Sequence, residues 1–153
     1  MLNRLRELAR QRADFGFETT LASRRFAPWL AELRQSGYLV HLLFLWLPSA
    51  DLAVERVAER VRMGGHAVPE RTIRRRYVAG LRNFFALYQP LANSWRMYDT
   101  SWPPYPRLIA MGEGSFSTEV TDNRTWARIT RGGEREGEEI EGHRQDFRRW
   151  DID

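Results

Sequence analysis

Two stretches of the sequence carry residue types that could do chemistry. The first is Phe17-Glu18-Thr19-Thr20-Leu21, a carboxylate and two hydroxyls between apolar neighbours. A carboxylate accepts hydrogen bonds and a hydroxyl both donates and accepts, so Glu18, Thr19 and Thr20 suit the hydroxyls of a sugar or ribose. The same residues also suit a helix cap and turn. The second stretch holds Arg56, Arg60, Arg62, Arg71, Arg74, Arg75, Arg76 and Arg82 against Glu55, Glu59 and Glu70. At its middle lies Gly64-Gly65-His66-Ala67-Val68-Pro69. A glycine hinge between two arginine-bearing helices is the build of a lid that brings guanidinium groups onto phosphates and excludes water. Arginine suits that task because its planar fork binds phosphate oxygens in pairs. The alternative is a solvated helical hairpin, with Glu55 and Glu59 set beside Arg56 and Arg60.

The remaining polar groups point to less. His66 can contact phosphate or close the hinge, His41 sits in an apolar run and reads as a core histidine, and His143 lies near the end of the chain. Histidines so separated, without cysteine, do not make a metal site. Asp99 ends an apolar stretch, where it can hold a cation or cap a turn. Ser23, Ser49 and Ser101 stand in no nucleophile elbow. The tryptophans and phenylalanines read as core.

Composition narrows the classes further. The chain has 153 residues and no cysteine, and all 24 of its basic residues are arginine. Disulfides, zinc-thiolate sites, Schiff-base lysines and a phosphate-binding loop of the G-x-x-x-x-G-K-[ST] type are excluded within it. Residues 1–131 carry 20 Arg against 12 Asp+Glu, or +8, while residues 132–153 carry 4 against 8, or −4. A basic body suits an anionic ligand. Nucleic acid ranks last among such ligands, since neither interleaved aromatics nor a helix-turn-helix pattern accompanies the arginines. No targeting or membrane-spanning segment is read, so a cytoplasmic protein is expected.

The elements that must position these groups follow from periodicity. Leu2, Leu5, Leu8 and Ala9 repeat at helical spacing. Residues 14–18 read as a short strand and 19–23 as the loop at its carboxyl end. Phe26, Trp29, Leu30 and Leu33 make a helix face that Gly37 stops. Residues 38–47 (YLVHLLFLWL) predict a central strand buried on both faces. Ser49 caps a helix lined by Ala53, Val57 and Val61, and Pro69 opens another lined by Ile73, Tyr77, Leu81, Phe84 and Tyr88. Residues 95–98 and 107–111 predict strands around a proline-rich turn, and 125–131 a last short helix. This alternation predicts an α/β parallel sheet over residues 1–131, with 132–153 as a charged, disordered extension. Ligands of such sheets sit beyond the carboxyl ends of strands, here at 18–20, 48–49 and 99–100.

Taken in order, D-F-G-F-E-T-T-L-A-S (residues 14–23) and R-V-R-M-G-G-H-A-V-P-E-R-T-I-R-R-R-Y (residues 60–77) resemble the zeta toxin family of P-loop kinases. P-S-A-D-L-A-V-E-R-V-A-E-R-V (residues 48–61) and Y-D-T-S (residues 98–101) fit as well. The resemblance implies an incomplete P-loop-kinase-like sheet with flanking helices and a helical lid. It implies an ATP- and Mg²⁺-dependent phosphotransferase acting on a small or nucleotide-sugar hydroxyl, such as that of UDP-N-acetylglucosamine, with an antitoxin as a possible partner. Glu18 would hold the substrate, with Thr19 and Thr20 beside it. Arg60, Arg62, His66, Arg74, Arg75 and Arg76 would supply lid charge, and Arg60 and Arg75 would act on the transferring phosphate. The family's Walker loop and catalytic aspartate have no counterpart in these residues. The chain is therefore expected to be the carboxyl-terminal portion of such a domain, inactive alone or a non-catalytic binding module. Its strand at 38–47 is expected to keep an exposed neighbouring edge.

Overall fold

The computed structural model describes residues 2–131. Helix α1 (Leu2–Arg10) and helix α2 (Phe26–Gln35) precede strand β1 (His41–Trp46). Helices α3 (Ala50–Arg62) and α4 (Glu70–Asn83) follow, and α4 runs on through a π-helical turn (Phe84–Tyr88) and a short 3₁₀ turn (Gln89–Leu91). Strands β2 (Ser94–Asp99), β3 (Arg107–Glu113) and β4 (Phe116–Val120) complete the sheet. Helix α5 spans 123–131. No helix among the described residues is long and apolar enough to cross a membrane.

The sheet is four-stranded in the order β1-β2-β3-β4. Only β1 and β2 are parallel; β2-β3 and β3-β4 are antiparallel. The expectation of a parallel sheet therefore holds for one pair only, and loop length explains why. β1 reaches β2 through α3 and α4, a crossover long enough to return the chain in the same sense. The β2-β3 loop is confined to residues 100–106 and the β3-β4 loop to 114–115. Connections that short join antiparallel neighbours. β4 was not foreseen at all, since FSTEV offers no apolar alternation and four of its five side chains are exposed.

The core lies on one side of the sheet around Trp95. Trp95 and Met97 point inward from β2, Ile109 and Ala110 are buried on β3, and Phe84 closes the cluster from the π turn. Trp95 stacks on Trp126 of α5 at 5.6 Å and meets the edge of Phe84 at 5.8 Å. Its indole N–H donates to the Gly114 carbonyl at 2.9 Å, which satisfies the polar atom that its burial would otherwise orphan. Gly112 is required here, because a Cβ would run into the Phe116 carbonyl and the Trp95 ring.

β1 differs from its expectation. It is the sheet's edge among the described residues, and it is buried on one face only. Leu42 and Phe44 face the core, whereas Leu43 and Leu45 are each 64% exposed and Leu39 just before them is 69% exposed. His41 is exposed rather than buried, and its Nδ1 lies 2.7 Å from Ser94 Oγ. Trp102 and Phe116 are exposed too, and so are not core. The boundary at residue 131 and the extension at 132–153 lie outside the described residues.

Candidate functional site

A cleft of about 1030 Å³ runs along the free edge of β1. Its far wall is the chain at residues 14–20, which is extended but pairs with no strand among the described residues. The strand expected at 14–18 is therefore not formed, because no neighbouring strand among the described residues pairs with it. Alternation still orders it. Phe15 stacks on Trp29 of α2 at 5.9 Å and Phe17 meets Phe26 at 5.1 Å. The residues between and after them, Gly16 and Glu18, are left exposed along the cleft.

One face of α4 fixes the ends of both walls. Tyr77 donates its hydroxyl to the Leu47 carbonyl at 2.9 Å, just past β1. One turn on, the Thr20 carbonyl rests against Gly80, where a Cβ would collide with it. Asn83 is buried and donates to the Leu21 carbonyl at 2.8 Å and to Ala22 at 3.2 Å. Tyr88 donates to the Ser23 carbonyl, and burial pushes its phenol pKa up. Leu21 takes a left-handed backbone, φ 55°, where the wall turns away. The loop bearing Glu18, Thr19 and Thr20 is thus held by helix-spaced contacts from a single element.

The arginines sort by helical phase. On α3, Ala53, Arg56, Val57 and Arg60 line the cleft at i, i+3, i+4 and i+7. On α4, Ile73, Arg76, Tyr77 and Gly80 do the same. The guanidinium groups of Arg60 and Arg76 make no hydrogen bond or ion pair among the described residues, so their donors are open to a ligand. Arg56, named in the arginine stretch without a site role, shares its phase with Arg60. It donates to the Ser101 carbonyl at 3.0 Å and ties α3 to the end of β2. No residue of α3 is fully buried.

Arg62, His66, Arg74 and Arg75 do not line the cleft, because they project from other faces of the hairpin. Arg74 is already committed, to Asp51 at 2.7 Å and Glu70 at 2.8 Å, and those hydrogen bonds raise its pKa above the ordinary value. Gly64 adopts φ 92° and Gly65 donates to the Arg60 carbonyl at 2.9 Å, so the glycines close α3 as a C-cap. The predicted cap at Ser49 is present, its hydroxyl accepting from the Leu52 N–H at 3.2 Å.

Asp99 takes a turn role at the end of β2. Burial acts to raise its pKa, but hydrogen bonds from the Ser101 hydroxyl and N–H and from Arg107 outweigh it and hold the carboxyl below its ordinary value. Both its oxygens are engaged, and no group of three or more His, Asp or Glu converges to hold a metal among the described residues.

No family model matches the chain, and no solved structure does. An uncharacterised protein of Haemophilus influenzae is 26% identical to it over 68 residues, 44% of this chain. The match spans about half of that protein's own length, 49%.

Proposed function

We propose that the cleft binds a phosphate-bearing sugar ligand, a nucleotide sugar being the class that fits best, as part of a zeta-toxin-like phosphotransferase. One juxtaposition supports the reading. Glu18, Thr19 and Thr20 line the same cleft as Arg60 and Arg76, although some 40 to 60 residues separate them in sequence. Hydroxyl-binding groups on one wall and unpaired guanidinium groups on α3 and α4 match the two ends of such a ligand. Glu18 orients a sugar hydroxyl, while Arg60 and Arg76 neutralise phosphate and hold water out. ATP would supply the phosphoryl group in a complete enzyme of this kind.

This chain alone is assigned binding rather than turnover. It contains no lysine and no Walker-type glycine loop, so it lacks the usual grip on the β-phosphate. Among the described residues no group of three or more His, Asp or Glu side chains converges to hold a metal ion. Calorimetric titration of the chain with UDP-N-acetylglucosamine, and separately with ATP, tests the reading. Saturable binding that Glu18→Gln and Arg60→Ala each weaken about tenfold is the expected result. Lack of saturation at millimolar nucleotide, or binding indifferent to both substitutions, overturns it. Turnover of labelled ATP at about 1–100 s⁻¹ would overturn the assignment of an inactive chain.

A further inference from the structure

We infer that the acidic segment at residues 134–141 folds back onto the arginine-bearing face of α3 and α4 and occupies Arg60 and Arg76. Charge is the first ground. Residues 55–82 carry eight Arg against Glu55, Glu59 and Glu70, or +5, which is more than half of the +8 of residues 1–131. Residues 134–141 (EREGEEIE) carry five Glu against one Arg, or −4. Arg74 is already neutralised by Asp51 and Glu70. The guanidinium groups of Arg60 and Arg76 have no such partner among the described residues.

Position is the second ground. Residues 132–153 follow α5, whose Arg128 guanidinium lies 5.0 Å from the centre of the Trp46 ring. Trp46 is the last residue of β1 and lines the cleft. The next residue, Leu47, accepts at its carbonyl from Tyr77, the neighbour of Arg76 on α4. The Trp46 carbonyl accepts from the Thr100 N–H, and Arg56 donates to the Ser101 carbonyl. Arg56, Arg76 and the last turn of α5 thus meet at the carboxyl end of β1. Arg60 lies one turn beyond Arg56, about 6 Å further along α3. An extended chain covers about 33 Å in ten residues, so residues 132–141 reach both guanidinium groups with length to spare.

Tethering decides whether such a contact is populated. A single exposed ion pair is weak. A segment on a short linker, however, meets its site at an effective concentration on the order of millimolar. The acidic segment of a second copy carries the same charge and loses that advantage, so the contact forms within one chain. Helix α1 also bears Arg4, Arg6 and Arg10, but it packs by Tyr38 at the amino end of β1, opposite Trp46, and Arg10 already pairs with Glu7 at 3.6 Å. The contact does not rest on the phosphate reading. It uses the same guanidinium groups, so a phosphate ligand would have to displace the segment.

The test uses the full chain, whose lack of cysteine lets Gly142→Cys carry a single nitroxide beside the acidic segment. Amide NMR signals then report which part of the body the label approaches. The expected result is broadening at Arg56, Arg60 and Arg76, with α1 unaffected. It should vanish in about 1 M salt, where charges act over only about 3 Å. It should also vanish in a variant that adds Glu134→Gln, Glu136→Gln, Glu138→Gln, Glu139→Gln and Glu141→Gln. As a second measurement, phenylglyoxal should modify Arg60 and Arg76 about two- to fivefold faster in the chain with those five substitutions than in the parent, with Arg4 and Arg6 unchanged. Neither measurement contains a nucleotide, so failure here is distinct from failure of ligand binding. Four results overturn the inference: broadening absent or spread evenly over the body, broadening that survives the five substitutions, equal phenylglyoxal rates, or broadening of an isotope-labelled chain by a separate nitroxide-bearing chain, which would place the segment on a second copy.

Discussion

The two edges of this sheet are built on opposite terms. β4 is five residues long and exposes Ser117, Thr118 and Glu119. Its pairing with β3 shifts register at Met111/Gly112. Short length, polar side chains and an irregular ladder are how a sheet edge is kept from recruiting strangers. β1 has none of these devices. It is HLLFLW, regular in register with β2 throughout, and it leaves two leucines largely uncovered. One edge is finished for water, and the other has the composition of an interior strand without the neighbour that such a strand needs. An edge in the list of strands is thus not always an edge in the chemistry of the chain.

Substitutions can probe that contrast, beginning where the effect is largest. Trp95→Ala removes the fully buried ring that sits between the two edges, and should cost about 3–5 kcal/mol. Urea unfolding with site-resolved hydrogen exchange should show β1 and β4 losing protection together; separate loss would mean that the edges do not share one core. Asn83→Ala acts on the β1 side alone. It strips the donor from the Leu21 and Ala22 carbonyls, and should cost about 1–3 kcal/mol with faster exchange at 20–23 but not in β4.

Acid probes the strands between the edges. Asp99 and Asp122 both have pKa values held below the ordinary one, Asp122 by accepting from the Thr125 N–H and hydroxyl at the start of α5. Such groups stabilise the fold above their unfolded pKa, and that contribution disappears as the pH falls through the folded value. Thermal melts should therefore weaken below the ordinary aspartate range. Asp99→Asn should lower stability at neutral pH and flatten the acid dependence. The smallest energetic effect is expected from Leu45→Lys, within about 0.5 kcal/mol, since the side chain is exposed. Thermal melts should move as little for Leu45→Lys as for Thr118→Lys on exposed β4, and a larger loss at Leu45 would mean that the β1 edge carries part of the core's stability.

Much of the helical order was legible. The spacing of Phe26, Trp29 and Leu33, the cap at Ser49 and the glycine stop after α3 all announce their elements and appear where expected. Sheet sense was less legible, because it follows from the loops at 100–106 and 114–115, and strand composition does not encode it. β4 was invisible, since its polar alternation is that of a water-facing edge. Within the candidate site, Glu18, Thr19, Thr20, Arg60 and Arg76 were named from the sequence and all line the cleft. Arg62, Arg74 and Arg75 were indistinguishable from Arg76 by residue type. Only helical phase relative to Tyr77 and Gly80 separates them, and that phase has meaning once the face of α4 that meets the walls is known.

That face of α4 has a mechanical consequence. Tyr77 grips the end of one wall while Gly80 and Asn83 grip the end of the other, within two turns of a single helix. The separation of the walls is therefore set by a rigid rod and not by whatever lies between them. At that end the opening has a width fixed by the fold itself, a gauge and not a jaw.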